Sequence, residues 1–306
     1  MDQSFRWLFL IEGMFTFAVG VISFFKMPAS AAQTKSWFRK EGWYTDREEK
    51  IVVNRVLRDD PNKGDMNNRQ PVSLKELWMS LTDYDLLPIY IVRLFTDIGA
   101  TPLKNYMTLT LRKLGFSTYK TNALTIPYNV FSTISMVAMG YFSEIINDRA
   151  FLCMSSSIWI LACLIPLRYW PGSQVDVWGT YAILTALLSQ PSIWALSISW
   201  CSANSNSVRS RAVSAALVNM FSQTANIIAA NIYRDDDKPL YHRGNTQLIG
   251  IAFGAVGACL VAKLYYKYRN KQRDAVWNQM TLEEQEKYKL NTLDIGNKRL
   301  DFRFTH

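Results

Sequence analysis

Apolar residues gather into seven runs: Trp7–Phe25, Leu86–Tyr106, Asn122–Phe142, Phe151–Arg168, Trp178–Cys201, Ala212–Tyr233 and Leu248–Tyr268. A helix rising about 1.5 Å per residue needs about 20 residues to cross a hydrocarbon core about 30 Å thick. Each run meets that length within a few residues. The expectation is an all-α polytopic membrane protein with seven transmembrane helices. The polar remainder falls mainly into Lys26–Asp85 and Arg269–His306, so the domains expected are 1–25 as a first span, 26–85 as a cytosolic loop, 86–268 as a six-helix bundle and 269–306 as a cytosolic tail. Within the loop, Thr45-Asp-Arg-Glu48 reads as a capping box opening a helix to Arg58, 59–70 as a flexible linker, and Ser73-Leu-Lys-Glu76 as a second box opening a short interfacial helix. In the tail, Thr281-Leu-Glu-Glu284 caps a charged helix to about Leu290, and the residues after it read as disordered.

Charge then orients the runs. The mean hydropathy of −0.04 averages apolar spans with charged segments. The net charge of +9 would point to nucleic acid in a soluble protein, but the orientation rule accounts for it without a nucleic-acid partner. With the N-terminus outside, Lys26–Asp85 puts 11 Lys/Arg inside and the tail from Lys263 another 10; in all, 24 of the 34 fall inside, 9 outside, and Arg93 within a span. The N-terminus is therefore expected outside and the C-terminus in the cytosol. A chain that starts outside without a signal peptide reads as a piece of something longer. The four cysteines all fall in spans, at spacings that match no zinc or disulfide framework, and read as packed thiols.

The chemistry on offer is not that of an enzyme. No hydrolase triad, HExxH, Walker A or dinucleotide fingerprint appears, the histidines are His242 and His306 alone, and no cofactor or metal is implied. Arg93 and Asp97 are the sharpest local signal: i and i+4 on one helix face, near the middle of the second span. Ionisable groups at that depth are costly unless paired or wetted. They read either as a substrate-binding cation with a proton-coupling carboxylate or as a self-neutralising structural pair. Asn219, Gln223 and Asn226 recur at i, i+4 and i+7 and make a polar stripe, which lines a watery cavity or bonds to other helices. Thr125, Tyr128, Asn129 and Ser132 cluster on the third span, and Gly250, Gly254 and Gly257 make a small-residue face for close helix packing.

Several stretches together resemble the fungal allantoate permease family, anion:cation symporters of the major facilitator superfamily. They are Phe5-Arg-Trp-Leu-Phe-Leu-Ile-Glu-Gly13, Pro28 with Thr45-Asp-Arg-Glu-Glu49, Leu114-Gly-Phe-Ser117, and Gly140 to Asp148-Arg149 as a loosened Gly-x-x-x-Asp-Arg loop. To these are added Trp200-Cys-Ser-Ala-Asn204 through Arg211-Ala-Val, Asn219, and Asp236-Asp-Lys-Pro-Leu-Tyr-His-Arg-Gly244. The resemblance implies that the seven runs correspond to helices VI–XII, with helices I–V absent or supplied by a separate chain. It implies proton symport of a small organic anion such as allantoate, another ureide or a vitamin carboxylate, in the plasma membrane. It assigns Asn219 to substrate contact and makes Tyr128, Asn129 and Trp200 neighbours; Gln223, Arg93 and Asp97 join the candidate site from the residue reading. Two alternatives stay open: a truncated remnant that transports nothing, and a seven-helix receptor, disfavoured by the lack of Asn-Pro-x-x-Tyr and by a first inner loop of about 60 residues.

Overall fold

The computed structural model describes residues 2–28, 30, 33–59, 73–173, 175–205, 208–238, 241–292, 294 and 296–306. It divides into two compact units, Met1–Pro71 and Val72–His306. The linker expected at 59–70 lies, from residue 60 on, outside the described residues.

In the first unit, α1 (Asp2–Lys26) is apolar all round and leaves Trp7, Phe15, Phe17 and Phe24 exposed, the surface a lipid-facing helix presents. Arg39 Nη2 donates to Phe25 O at 2.9 Å at its end and stacks on Trp43, 4.8 Å from the ring centroid. The box expected at Thr45 forms: Thr45 N donates to Glu48 Oε2 and Glu48 N to Thr45 Oγ1, opening α2 (Asp46–Asp59).

The second unit is built from α3 (Leu74–Leu81), α4 (Leu87–Lys113), α5 (Thr118–Leu124), α6 (Ile126–Ile146), α7 (Arg149–Tyr169), α8 (Val177–Leu188), α9 (Trp194–Ser205), α10 (Val208–Ala230), α11 (His242–Trp277) and α12 (Leu282–Asn291). Among the described residues there is no strand, only an isolated Ser36–Arg39 bridge. Among the described residues, five helices are long and apolar enough to cross a membrane: α1, α5 with α6, α7, α10 and α11. The chain is thus an all-α polytopic membrane protein. α4 has the length too but carries Arg93, Asp97 and Lys104.

Two of the expected spans are not continuous. The run Trp178–Cys201 breaks between α8 and α9, because Pro191 has no N–H to donate and its ring disfavours helical backbone at Gln190. The freed carbonyls are taken by side chains: Ser135 Oγ donates to Ser189 O and Ser156 Oγ to Pro191 O, each at 3.0 Å, and Trp159 Nε1 to Ala186 O at 2.8 Å. Non-helical backbone at membrane depth is tolerated where protein satisfies it in this way. The third run breaks at Thr125, two residues before Pro127. The small-residue face is also narrower than expected. A Cβ on Gly254 would sit 3.1 Å from Phe95 Cε1, so this glycine admits α4, whereas Gly250 and Gly257 face open space.

Two apolar clusters occupy opposite ends of α4. One gathers Leu103, Met107, Leu111, Leu164, Leu187, Tyr233, Tyr241 and Leu248. At this end Asp237 accepts from the N–H groups of Arg243 and Gly244, and so holds the start of α11. The other cluster gathers Ile89, Tyr90, Cys153, Trp200, Cys201, Cys259, Tyr266 and Phe304. Asp148 caps α7 through Phe151 N and pairs with Lys263 there.

The tail expected to be disordered is folded where it is described. The capping box at Thr281 opens α12, and residues 296–306 return to the second cluster, where Phe304 is buried. The polar composition of the tail hides this, because its charges find partners far away in sequence. Lys298 Nζ reaches Asp83 at 2.7 Å and Asp85 at 2.9 Å, Asn297 reaches Asp83, and Arg303 pairs with Asp274. Asp85 is fully buried and also accepts from Tyr265 Oη and Arg269. Burial pushes its carboxyl up, but hydrogen bonds from Tyr265 and Lys298 and the charges of Lys298 and Arg269 outweigh it and hold the group below its ordinary value. A depressed carboxylate contributes stability that is complete above its unfolded value of about 4 and is lost as pH falls through the folded value. Melting temperature should therefore show an acid-dependent loss below about pH 4. Asp85→Asn should remove that dependence and cost about 2 kcal/mol at neutral pH, by unpairing Lys298 and Arg269.

Candidate functional site

Between the two clusters a cavity of about 320 Å³ opens against α4, α6, α7 and the α8–α9 break. Its wall carries Arg93, Asp97, Thr101, Lys104, Tyr128, Asn129, Ser132, Ser156 and the segment from Gln190 to Trp194. Arg93 is buried. Its Nη2 lies 2.8 Å from Asp97 Oδ2 and 3.4 Å from Ser222 Oγ, and Ser222 Oγ in turn donates to Asp97 Oδ2 at 2.5 Å. The i, i+4 spacing on α4 builds the ion pair, and α10 supplies the hydroxyl that joins its two members. Thr101 Oγ1 donates to Asp97 O at 2.7 Å and lies 3.3 Å from Asn226 Oδ1.

Among the described residues that line the cavity, two polar atoms are left over. Arg93 Nε, a donor, and Gln190 Oε1, an acceptor, are buried without a hydrogen-bond partner in the protein. Buried polar groups are nearly always paired, so orphans on one cavity wall mark a place where a polar guest or water is accommodated. Among the described lining residues, Arg93 and Lys104 stand against Asp97, which leaves the wall net positive. The N-terminal end of α9, at Ser192, Ile193 and Trp194, also lines the cavity and adds the positive end of its helix dipole. Discontinuous helices whose half-helix ends meet a substrate near the midplane are a recurring transporter device.

The structure brings together four of the seven candidate residues. Arg93, Asp97, Tyr128 and Asn129 share the cavity wall. Asn219 and Gln223 lie outside it, on the exposed side of α10 opposite Val218, Ala225 and Ala229. Gln223 Oε1 accepts from Asn226 there at 3.1 Å. Trp200 is elsewhere: it is fully buried in the second cluster, with its indole N–H on Thr305 O at 2.9 Å. Sequence reasoning counts Ser222 among the polar residues of its span but leaves it out of the candidate site, and misses Gln190 and the helix break. The Gln190-Pro191 pair inside an apolar run was the available signal for the last two.

These features define a polytopic α-helical membrane protein with a polar cavity among its helices. The chain belongs to a family of yeast transporters. It is 42% identical over 213 residues to a putative uncharacterized transporter of Saccharomyces cerevisiae, a match covering 70% of this chain and 99% of that relative. A longer uncharacterized transporter of the same yeast is 41% identical over 303 residues, covering 98% of this chain and 56% of that protein. A major facilitator-type transporter of Emericella nidulans is 23% identical over 279 residues, 89% of this chain and 53% of the relative. The chain thus spans about half the length of the longer relatives and nearly all of the shorter one. No protein-family model and no solved structure matches the chain.

Proposed function

We propose that this chain is one half of a proton-coupled carrier for a small organic anion of the allantoate, ureide or vitamin-carboxylate kind. The observation that carries the reading is Arg93. A buried guanidinium on a cavity wall with its Nε–H unsatisfied suits a carboxylate guest, because a charged donor makes a stronger hydrogen bond to a carboxylate than a neutral one does. Asp97 keeps Arg93 charged in the empty site and is the group placed to exchange a proton when the anion arrives. The polar face of Asn219, Gln223 and Asn226, uncovered within its own unit, supports a complementary half that supplies helices I–V, from a separate chain or a longer one. The match of a short relative along 99% of its length fits such a division.

Uptake tests this reading. The chain alone should take up little radiolabelled allantoate; with a helix I–V fragment of a close relative it should take up more, and Asn219→Ala should lower that uptake at matched expression. Unchanged uptake by Asn219→Ala would leave the residue a packing role only. The same uncovered face favours a second reading, a remnant that inserts but does not transport, and failure of every co-expressed half to restore uptake would support it.

The 24-to-9 charge split supports an outside N-terminus and a cytosolic C-terminus. In a cysteine-free background, Asn67→Cys should resist an impermeant maleimide applied to intact cells. Labelling from outside would overturn the orientation.

A further inference from the structure

The last residues of the chain are held in a manner that their composition does not announce. Asn270 grips both backbone groups of Phe304: its Nδ2 donates to Phe304 O and its Oδ1 accepts from Phe304 N, each at 2.8 Å. Asn204 does the same for Thr305, donating to its O at 3.0 Å and accepting from its N at 2.9 Å. Trp200 Nε1 adds a second bond to Thr305 O, and Arg149 N donates to His306 O at 2.9 Å. Arg273 donates to Phe302 O and Asn297 O. The Phe304 ring stacks on Tyr266 at 5.2 Å, and the Arg273 guanidinium lies 4.5 Å from its centroid.

This is how proteins read an extended peptide: amide side chains pair with successive backbone groups, and one pocket takes an aromatic anchor. The receiving groups come from three helices, with Arg149 on α7, Trp200 and Asn204 on α9, and Tyr266, Asn270 and Arg273 on α11. Trp200 and Asn204 are fully buried. Without the tail, an indole N–H and both ends of an amide would lose the partners seen here in an interior position, at about 1–3 kcal/mol for each group left unpaired and dry. The groove is therefore built for a peptide.

We propose that residues 296–306 are an intramolecular peptide ligand of this groove, a latch that ties the ends of α7, α9 and α11 together, and that unseating it opens this end of the bundle. The proposal stands independently of the substrate reading. Any motion that separates these three helix ends must first release Phe304 and Thr305.

Native thiols report on the latch, because Cys153, Cys201 and Cys259 are buried in the cluster that contains Phe304, whereas Cys163 is not in it. In the full-length chain carrying Cys163→Ser, N-ethylmaleimide should label the remaining thiols slowly. Phe304→Ala, and separately Thr305→Pro, which deletes the N–H that Asn204 accepts, should speed labelling about tenfold by raising the open population. A synthetic peptide of residues 296–306, added to the Phe304→Ala chain, should restore protection in a saturable way. The same peptide with alanine for Phe304 should not. Labelling unchanged in both variants, or a wild-type peptide that fails to protect a variant shown to be folded by circular dichroism and monodisperse elution, would overturn the proposal. Aggregation of Phe304→Ala with wild-type labelling of Thr305→Pro would do so too, by making the tail a fixed part of the core.

Discussion

Arg93→Leu should lower the stability of the Val72–His306 bundle by about 3 kcal/mol or more, because it strands Asp97 in a site where its ion-pair partner is gone. Ser222 alone would then bond the carboxylate. The double variant Arg93→Leu/Asp97→Leu should regain most of the loss, since replacing both members of a buried pair removes the desolvation penalty along with the attraction. Melting in detergent, on single and double variants side by side, gives the coupling directly. A double variant whose loss equals the sum of the two single losses would show that the two residues do not depend on each other.

Trp200→Ala carries the other large expected effect, about 3–5 kcal/mol for emptying a fully buried aromatic site. Trp200→Phe separates the contributions. It keeps most of the volume but drops the indole bond to Thr305 O, and should cost about 1 kcal/mol. Both losses are read as shifts in the melting transition. Equal costs for the two variants would mean that the hydrogen bond, not the volume, holds this corner.

Much of the fold was legible because lipid imposes a simple rule on sequence: apolar runs of membrane length become helices. The capping boxes at Thr45 and Thr281 were equally plain, since their bonds are made within four residues. What was hidden depends on distant partners. The tail reads as polar because Lys298 and Arg303 are charged, yet their carboxylates at Asp83, Asp85 and Asp274 are invisible until the chain folds back. The α8–α9 break was written in Gln190-Pro191 but masked by the hydrophobicity around it. In the candidate site, Arg93 and Asp97 announced themselves by cost alone, as ions in an apolar run. Ser222 could not, because a serine on a helix carries no sign of what it faces. Resemblance placed Trp200 near the cavity, whereas its buried indole serves the tail. The same resemblance favoured Asn219, which lies on the exposed side of α10, off the cavity wall.

Equilibrium binding to the purified chain decides whether the cavity beside Arg93 accepts an organic anion. Radiolabelled allantoate should bind saturably, and small carboxylates should displace it while the corresponding amides do not. Arg93→Lys keeps a cation beside Asp97 but loses the planar fork and its Nε, and should weaken binding at least about tenfold with little change in melting temperature. No saturable binding by any small carboxylate, or binding undiminished in Arg93→Lys, would contradict the account.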